Sequence, residues 1–212
     1  RPQTQPVEKP LIIKTKTFFT AALLLIGCAS LPAFAEGEAA AGEVLAYTCL
    51  GCHGIEGYRN AYPSYRVPKL GGQKAAYLVA AIKGYRDGER VHPTMIAQAS
   101  SLTDQQIEDA AAYLASLSAG TVDAGGSTAP SLEAATTCTA CHGQNGISLS
   151  PSWPTLAGQH EDYLVHALNQ YRDGTRKNPV MGPLAAALTD DDVELLARYY
   201  SRLSGLETTA AD

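Results

Sequence analysis

After residue 34 the chain contains no phenylalanine, and Trp153 is its one tryptophan. Methionine is equally scarce, with Met95 and Met181 the two present. The segment from Glu36 onward is instead rich in alanine and glycine. Small domains bury a low fraction of their surface and often need a staple. A chain this short of large apolar side chains needs a bulky apolar group that is not protein to complete its cores. An excess of basic charge is also missing. The 212 residues carry a net charge of −5, and from Glu36 onward 12 basic residues face 20 acidic ones, a net of −8. That balance excludes binding to nucleic acid and to anionic lipid and favours partners with basic patches.

Long hydrophobic runs are absent too. The one apolar stretch, Phe18 to Ile26, is interrupted at Thr20, follows Lys14 and Lys16, and precedes Ala33-Phe34-Ala35. It is too short for a membrane span and has the order of a secretory leader, with cleavage after Ala35. Leu25-Ile26-Gly27-Cys28 also resembles a bacterial lipoprotein box, in which Cys28 would carry lipid and associate the protein with a membrane. Both readings export the protein, and the expected location is the periplasm.

Four of the five cysteines stand in two equivalent settings, Cys49-Leu50-Gly51-Cys52-His53 and Cys138-Thr139-Ala140-Cys141-His142. C-x-x-C-H is the pattern of c-type haem attachment. Two thiols add across the two vinyl groups, the two intervening residues set their separation, and the following imidazole is placed under the iron. Paired C-x-x-C motifs also occur in zinc sites, in thioredoxin-like redox centres and as disulfides in exported proteins. None of these explains a histidine after both pairs. Two covalent haem c groups are expected.

The motifs belong to a tandem repeat. Their offset is 89 residues, and everything downstream is offset by 86. Pro68-Lys69-Leu70-Gly71-Gly72-Gln73 matches Pro154-Thr155-Leu156-Ala157-Gly158-Gln159, Tyr77-Leu78-Val79 matches Tyr163-Leu164-Val165, and Tyr85-Arg86-Asp87-Gly88 matches Tyr171-Arg172-Asp173-Gly174. Leu102-Thr103-Asp104 likewise matches Leu188-Thr189-Asp190. The first copy alone has an insertion rich in tyrosine and arginine, Tyr58 to Val67. The reading gives a leader at 1–35, a first domain at 36–120, a Gly/Ser/Pro linker at 121–130 and a second domain at 131–212.

The expected class is all-α, with three helices per half. Thr103 and Gln106 form a capping box, followed by Ile107, Ala110, Leu114 and Leu117 at helical spacing. Thr189, Val193, Leu196, Tyr200 and Leu203 repeat that pattern. A second helix runs from about Lys74 to Arg86 and stops at Gly88, its copy at Gly174. A shorter one leads into each C-x-x-C-H. No alternating strand pattern occurs.

The two methionines occupy equivalent positions behind a proline, Pro93-Thr94-Met95 and Pro179-Val180-Met181. A thioether suits haem iron, and Met/His ligation raises the potential. The expected iron ligands are His53 with Met95 and His142 with Met181. His92 rivals Met95, but its repeat partner is Asn178, a poor ligand. His160 and His166 have Lys74 and Ala80 as partners and are expected as solvated helix residues. Pro68 and Pro154 are candidates to accept the other ring N–H of each histidine through their carbonyls. Arg86, Arg172, Arg59 and Arg66 are candidate partners for haem carboxylates.

Taken together, the two C-x-x-C-H-G motifs, each followed by P-x-L-(G/A)-G-Q, Y-R-D-G, Pro-x-Met and an L-T-D helix, resemble the cytochrome c4 family over residues 40–205. That resemblance implies two class I cytochrome c domains, each wrapped round a covalent haem and related by a pseudo-two-fold axis. It also implies a periplasmic electron carrier passing electrons from a cytochrome bc complex towards terminal oxidases, and not an enzyme. Two other readings stay open: the dihaem subunit of a dehydrogenase, such as a flavocytochrome sulfide dehydrogenase, and a dihaem peroxidase. The peroxidase would need one iron with a displaceable ligand, which two equivalent methionines disfavour. Replacing both Cys138 and Cys141 by Ala should leave one covalent haem per chain, counted by pyridine haemochrome against protein mass.

Overall fold

The computed structural model describes Pro2 and residues 37–117 and 132–209. The chain divides into Arg1–Phe34 and Ala35–Asp212, and the elements below belong to the second of these units. Apart from Pro2, the leader with Ala33 to Ala35 and Cys28, and the linker at 121–130, lie outside the described residues.

The described residues are helical and contain no strand, only two isolated bridges, Arg59 with Arg66 and Gly71 with Glu207. The first half holds α1 (Ala39–His53), α2 (Ala75–Arg86), α3 (Pro93–Ser100) and α4 (Asp104–Ser116). In the second half a 3-10 turn (Glu133–Ala135) runs into α5 (Thr136–His142), followed by α6 (Glu161–Arg172), α7 (Met181–Ala186) and α8 (Asp190–Ser201). No helix among the described residues is long and apolar enough to cross a membrane.

The helix starts follow from their caps. The Thr103 hydroxyl accepts the Gln106 N–H while Gln106 Oε1 accepts the Thr103 N–H, and Thr189 with Asp192 repeats this at α8. Past the ends of α2 and α6, Gly88 and Gly174 each have φ of +78°, the left-handed turn that glycine permits. The expectation of three helices per half needs correction, because α3 and α7 are additional. Pro93 presets the first turn of α3, and His92 Nδ1 accepts the Met95 N–H at 3.2 Å. At the start of α7, Asn178 Oδ1 accepts the N–H groups of Val180 and Met181 at 3.0 and 2.8 Å. Helices of 8 and 6 residues are too short to show a hydrophobic period and are held by these caps instead.

Each half has a small core. Ala46 and Leu50 of α1 meet Ala111 and Leu114 of α4 and Leu78 of α2. Ala135 packs with Leu164, Leu196, Ala197 and Tyr200 in the second half. The approach of α1 to α4 depends on Gly42, where a side-chain carbon would run into the Asp109 carbonyl. The inner face of α1, Gly42, Ala46 and Leu50, recurs every four residues and pins the helix to the core. Cys49, Cys52 and His53 remain only half-buried at its end.

The insertion at 58–67 lies against the second half. Arg59 and Arg66 both pair with Asp162 of α6, each at 3.1 Å, and the Arg66 N–H also donates to that carboxylate. Tyr65 is buried and stacks on His166 with ring centroids 4.1 Å apart at 18°. The expectation that His160 and His166 are solvated therefore fails. His160 is 7 % exposed, and His166 is covered by Tyr65. The repeat partners Lys74 and Ala80 say nothing of what lies beyond this side of α6, where Arg66 and Tyr65 of the other half are packed.

Burial works to raise the Asp162 carboxyl, and the Arg66 N–H together with the Arg66 and Arg59 guanidiniums outweighs it, holding the group below the ordinary carboxylate range. A carboxylate depressed in the folded state stabilises fully above its unfolded pKa, and that stability is lost as pH falls through the folded value. Asp162→Asn should cost about 1 kcal/mol at neutral pH. Between about pH 5 and pH 3 the variant should lose less stability than the parent protein, measured by urea titration at each pH.

Candidate functional site

Both C-x-x-C-H motifs end a helix, so the same local geometry recurs. Helix α1 ends on His53 and α5 on His142. His53 Nδ1 lies 2.7 Å from the Pro68 carbonyl oxygen, and His142 Nδ1 lies 2.8 Å from that of Pro154. A carbonyl only accepts, so Nδ1 carries the proton in both rings. Burial lowers both imidazoles below the ordinary histidine range, against the opposing pull of the proline carbonyls. Each ring is therefore neutral at pH 7, with its Nε2 lone pair free for a metal.

The four cysteines of the motifs form no disulfide with one another. Burial pushes the Cys49 and Cys138 thiols up, away from the thiolate form that a zinc ligand or a redox-active cysteine needs. Among the described residues no three His, Cys, Asp or Glu side chains gather as a metal-binding group. The two motifs thus do not combine into one zinc centre. Met95 and Met181 sit in the first turns of α3 and α7, half-buried, with their N–H groups held by the His92 and Asn178 side chains.

The four arginines weighed for haem carboxylates are engaged elsewhere. Arg86 pairs with Asp104 at 2.8 Å and donates to the Leu102 carbonyl. Arg172 pairs with Asp190 at 2.7 Å, and Arg59 and Arg66 hold Asp162. Two other arginines are buried, Arg90 and Arg176, only 8 % and 5 % exposed. Arg90 lies over the Tyr85 ring at 4.4 Å and donates to the Tyr163 hydroxyl of the other half at 3.3 Å. Arg176 lies over Tyr171 at 4.5 Å and donates to the Tyr77 hydroxyl at 2.9 Å. Among the described residues neither meets a carboxylate, and both leave a buried Nε without a partner. Burial alone would raise the Tyr77 phenol, but Arg176 and Arg90 outweigh it and bring the group below its ordinary value.

Two buried cations that repel one another need anions. Haem c brings carboxylates, two neighbouring thiols accept its vinyl carbons, and a free Nε2 accepts its iron. The residues present fit that group. Sequence reasoning missed Arg90 and Arg176, although their offset of 86 residues is the repeat's own register.

Comparison with known proteins agrees. The family model of cytochrome c matches residues 39–118 and 131–204. Cytochrome c4 of Pseudomonas aeruginosa is 35% identical over 199 residues, covering 85% of this chain and 96% of that protein. A thiosulfate dehydrogenase electron acceptor of Stutzerimonas stutzeri is 32% identical over 213 residues, covering 87% of this chain and 96% of its own. The crystal structure of reduced recombinant cytochrome c4 from Pseudomonas stutzeri superposes with a TM-score of 0.62 at 29% identity, covering 79% of this chain and 99% of that one. The chain therefore belongs to the cytochrome c family, as a two-domain member of the cytochrome c4 type. It carries two covalent haem c groups, attached through Cys49 and Cys52 and through Cys138 and Cys141.

Proposed function

We propose that this protein carries single electrons between periplasmic redox partners, with His53 and Met95 as the residues that would hold the iron in the first domain and His142 and Met181 in the second. The observation that carries the reading is the matched pair of Nδ1–H···O=C bonds at 2.7 and 2.8 Å, which leaves each histidine one free nitrogen in a fixed direction. Haem c, when bound, supplies a one-electron Fe(III)/Fe(II) couple. The chain's own residues do the rest. The proline carbonyls hold the tautomer and the ring plane, and make each imidazole a better electron donor. The caps on Met95 and Met181 fix where each methionine stands in its short helix. Arg90 and Arg176 would receive the haem carboxylates, satisfying their unpartnered Nε groups.

With a histidine and a methionine both holding the iron, no coordination position would be left for peroxide or another substrate, and the protein acts as a carrier. The donor in this reading is a cytochrome bc complex and the acceptor a terminal oxidase. The leader pattern at 14–35 supports the periplasmic location. A second reading has one specific support, the 32% identity to a thiosulfate dehydrogenase electron acceptor, which would make a dehydrogenase the electron donor. Stopped-flow reduction of the oxidised protein by each candidate donor separates the two.

Met181→Ala should lower one of the two potentials and leave the other nearly unchanged in a spectroelectrochemical titration, and should let one haem per chain bind carbon monoxide when reduced. Two unchanged potentials would remove the ligand assignment. Rapid stoichiometric carbon monoxide binding by the unsubstituted protein would favour the peroxidase.

A further inference from the structure

The glutamine that closes each P-x-L-(G/A)-G-Q segment reaches into the opposite half. Gln73 Oε1 accepts the Thr155 N–H at 2.9 Å, and its Nε2 donates to the Thr155 carbonyl at 3.0 Å. Gln159 does the same to Lys69, with both bonds at 3.0 Å. Each Oε1 also accepts the N–H of the residue after its own glutamine, Lys74 or His160. Both side chains are 4 % exposed, so no water competes for these bonds.

The residue that each glutamine grips follows the proline whose carbonyl takes the histidine proton. The Pro154 carbonyl and the Thr155 N–H belong to one peptide group, which is planar and rigid. Its oxygen accepts from His142 Nδ1 while its nitrogen donates to Gln73 Oε1. The Pro68–Lys69 peptide is gripped identically, by His53 on one side and Gln159 on the other. A peptide held at both ends cannot rotate about its flanking bonds without losing both contacts. A hydrogen bond donated from its nitrogen also polarises its oxygen into a stronger acceptor.

We infer that Gln73 and Gln159 are positioning residues that act crosswise, each setting the orientation and electron-donating strength of the iron-binding histidine in the other domain. The inference rests on His53 and His142 as iron ligands. Removing the glutamine amide weakens the Nδ1–H bond across the seam, leaves that imidazole a poorer donor, and so disfavours the oxidised iron it holds.

The test uses the haem-loaded protein with Gln73→Met and Gln159→Met, side chains of similar length without the amide. Haem-methyl NMR signals, assigned by Overhauser contacts to residues of each domain, follow the two haems separately through a redox titration. Gln73→Met should raise the equilibrium constant for reduction of the second-domain haem threefold or more, and that of the first-domain haem by less. Gln159→Met should give the reverse pattern. In the reduced protein the Nδ1–H proton of His142 should move upfield in Gln73→Met, while that of His53 stays in place. If Gln73→Met fails to take up haem, Gln73→Asn, which keeps the amide but withdraws it by one methylene, takes its place with the same crossed expectation. Changes below threefold, equal changes at both haems, or a larger change in the substituted glutamine's own domain overturn the inference. The ligand reading fails separately, through Met181→Ala leaving both potentials fixed.

Discussion

The bond from a histidine ring N–H to a proline carbonyl is the contact on which the rest of the molecule is organised. It occurs twice, at 2.7 and 2.8 Å, and it settles which ring nitrogen holds the proton. Both partners come from the repeat. The histidine ends a helix, and the carbonyl comes from the loop that follows. The helix supplies position and the loop supplies direction. Neither element does so alone, because an imidazole at a helix end without that bond can turn about its own side-chain bonds.

The thin cores and the buried arginines are two sides of one deficit. Among the described residues the largest fully buried side chains are Ile107, Leu114, Val193 and Ser148, which is little apolar volume for two domains. Among the described residues Arg90 and Arg176 lie deep in the protein without carboxylate partners. Taken as protein alone, the molecule has too little grease and two positive charges in excess inside. A flat, largely apolar macrocycle with acidic arms answers both demands, and covalent attachment through two thioethers means that it is not lost by dissociation.

Much of this was legible in the sequence because it sits in local patterns. C-x-x-C-H, the Thr-led capping boxes and the stops at Gly88 and Gly174 each depend on residues within a few positions of one another. The helices α3 and α7 were not legible, since their signal is a single capping side chain, His92 or Asn178, ahead of a segment too short for a period. The acidic partners of the candidate arginines were hidden for a different reason. Arg86 and Arg172 stand in a repeated motif, but Asp104 of α4 and Asp190 of α8, each two helices on, neutralise them, and that pairing is long-range. His160 and His166 read as solvent-facing because their repeat partners, Lys74 and Ala80, carry no sign of the contact that the insertion in the other half makes here. The roles of Gln73 and Gln159 were hidden in plain view: the motif quoting them repeats cleanly, yet their partners are 82 and 90 residues away.

The exchanged glutamines bear on how such a chain came to be. A tandem repeat begins as two copies that each complete themselves, like beads that can be unstrung. Here each copy has handed part of its own scaffolding to its sibling, and the insertion at 58–67 adds a lock that only one of them owns. Cut in the linker, each half would keep a loop shaped for a grip that left with the other.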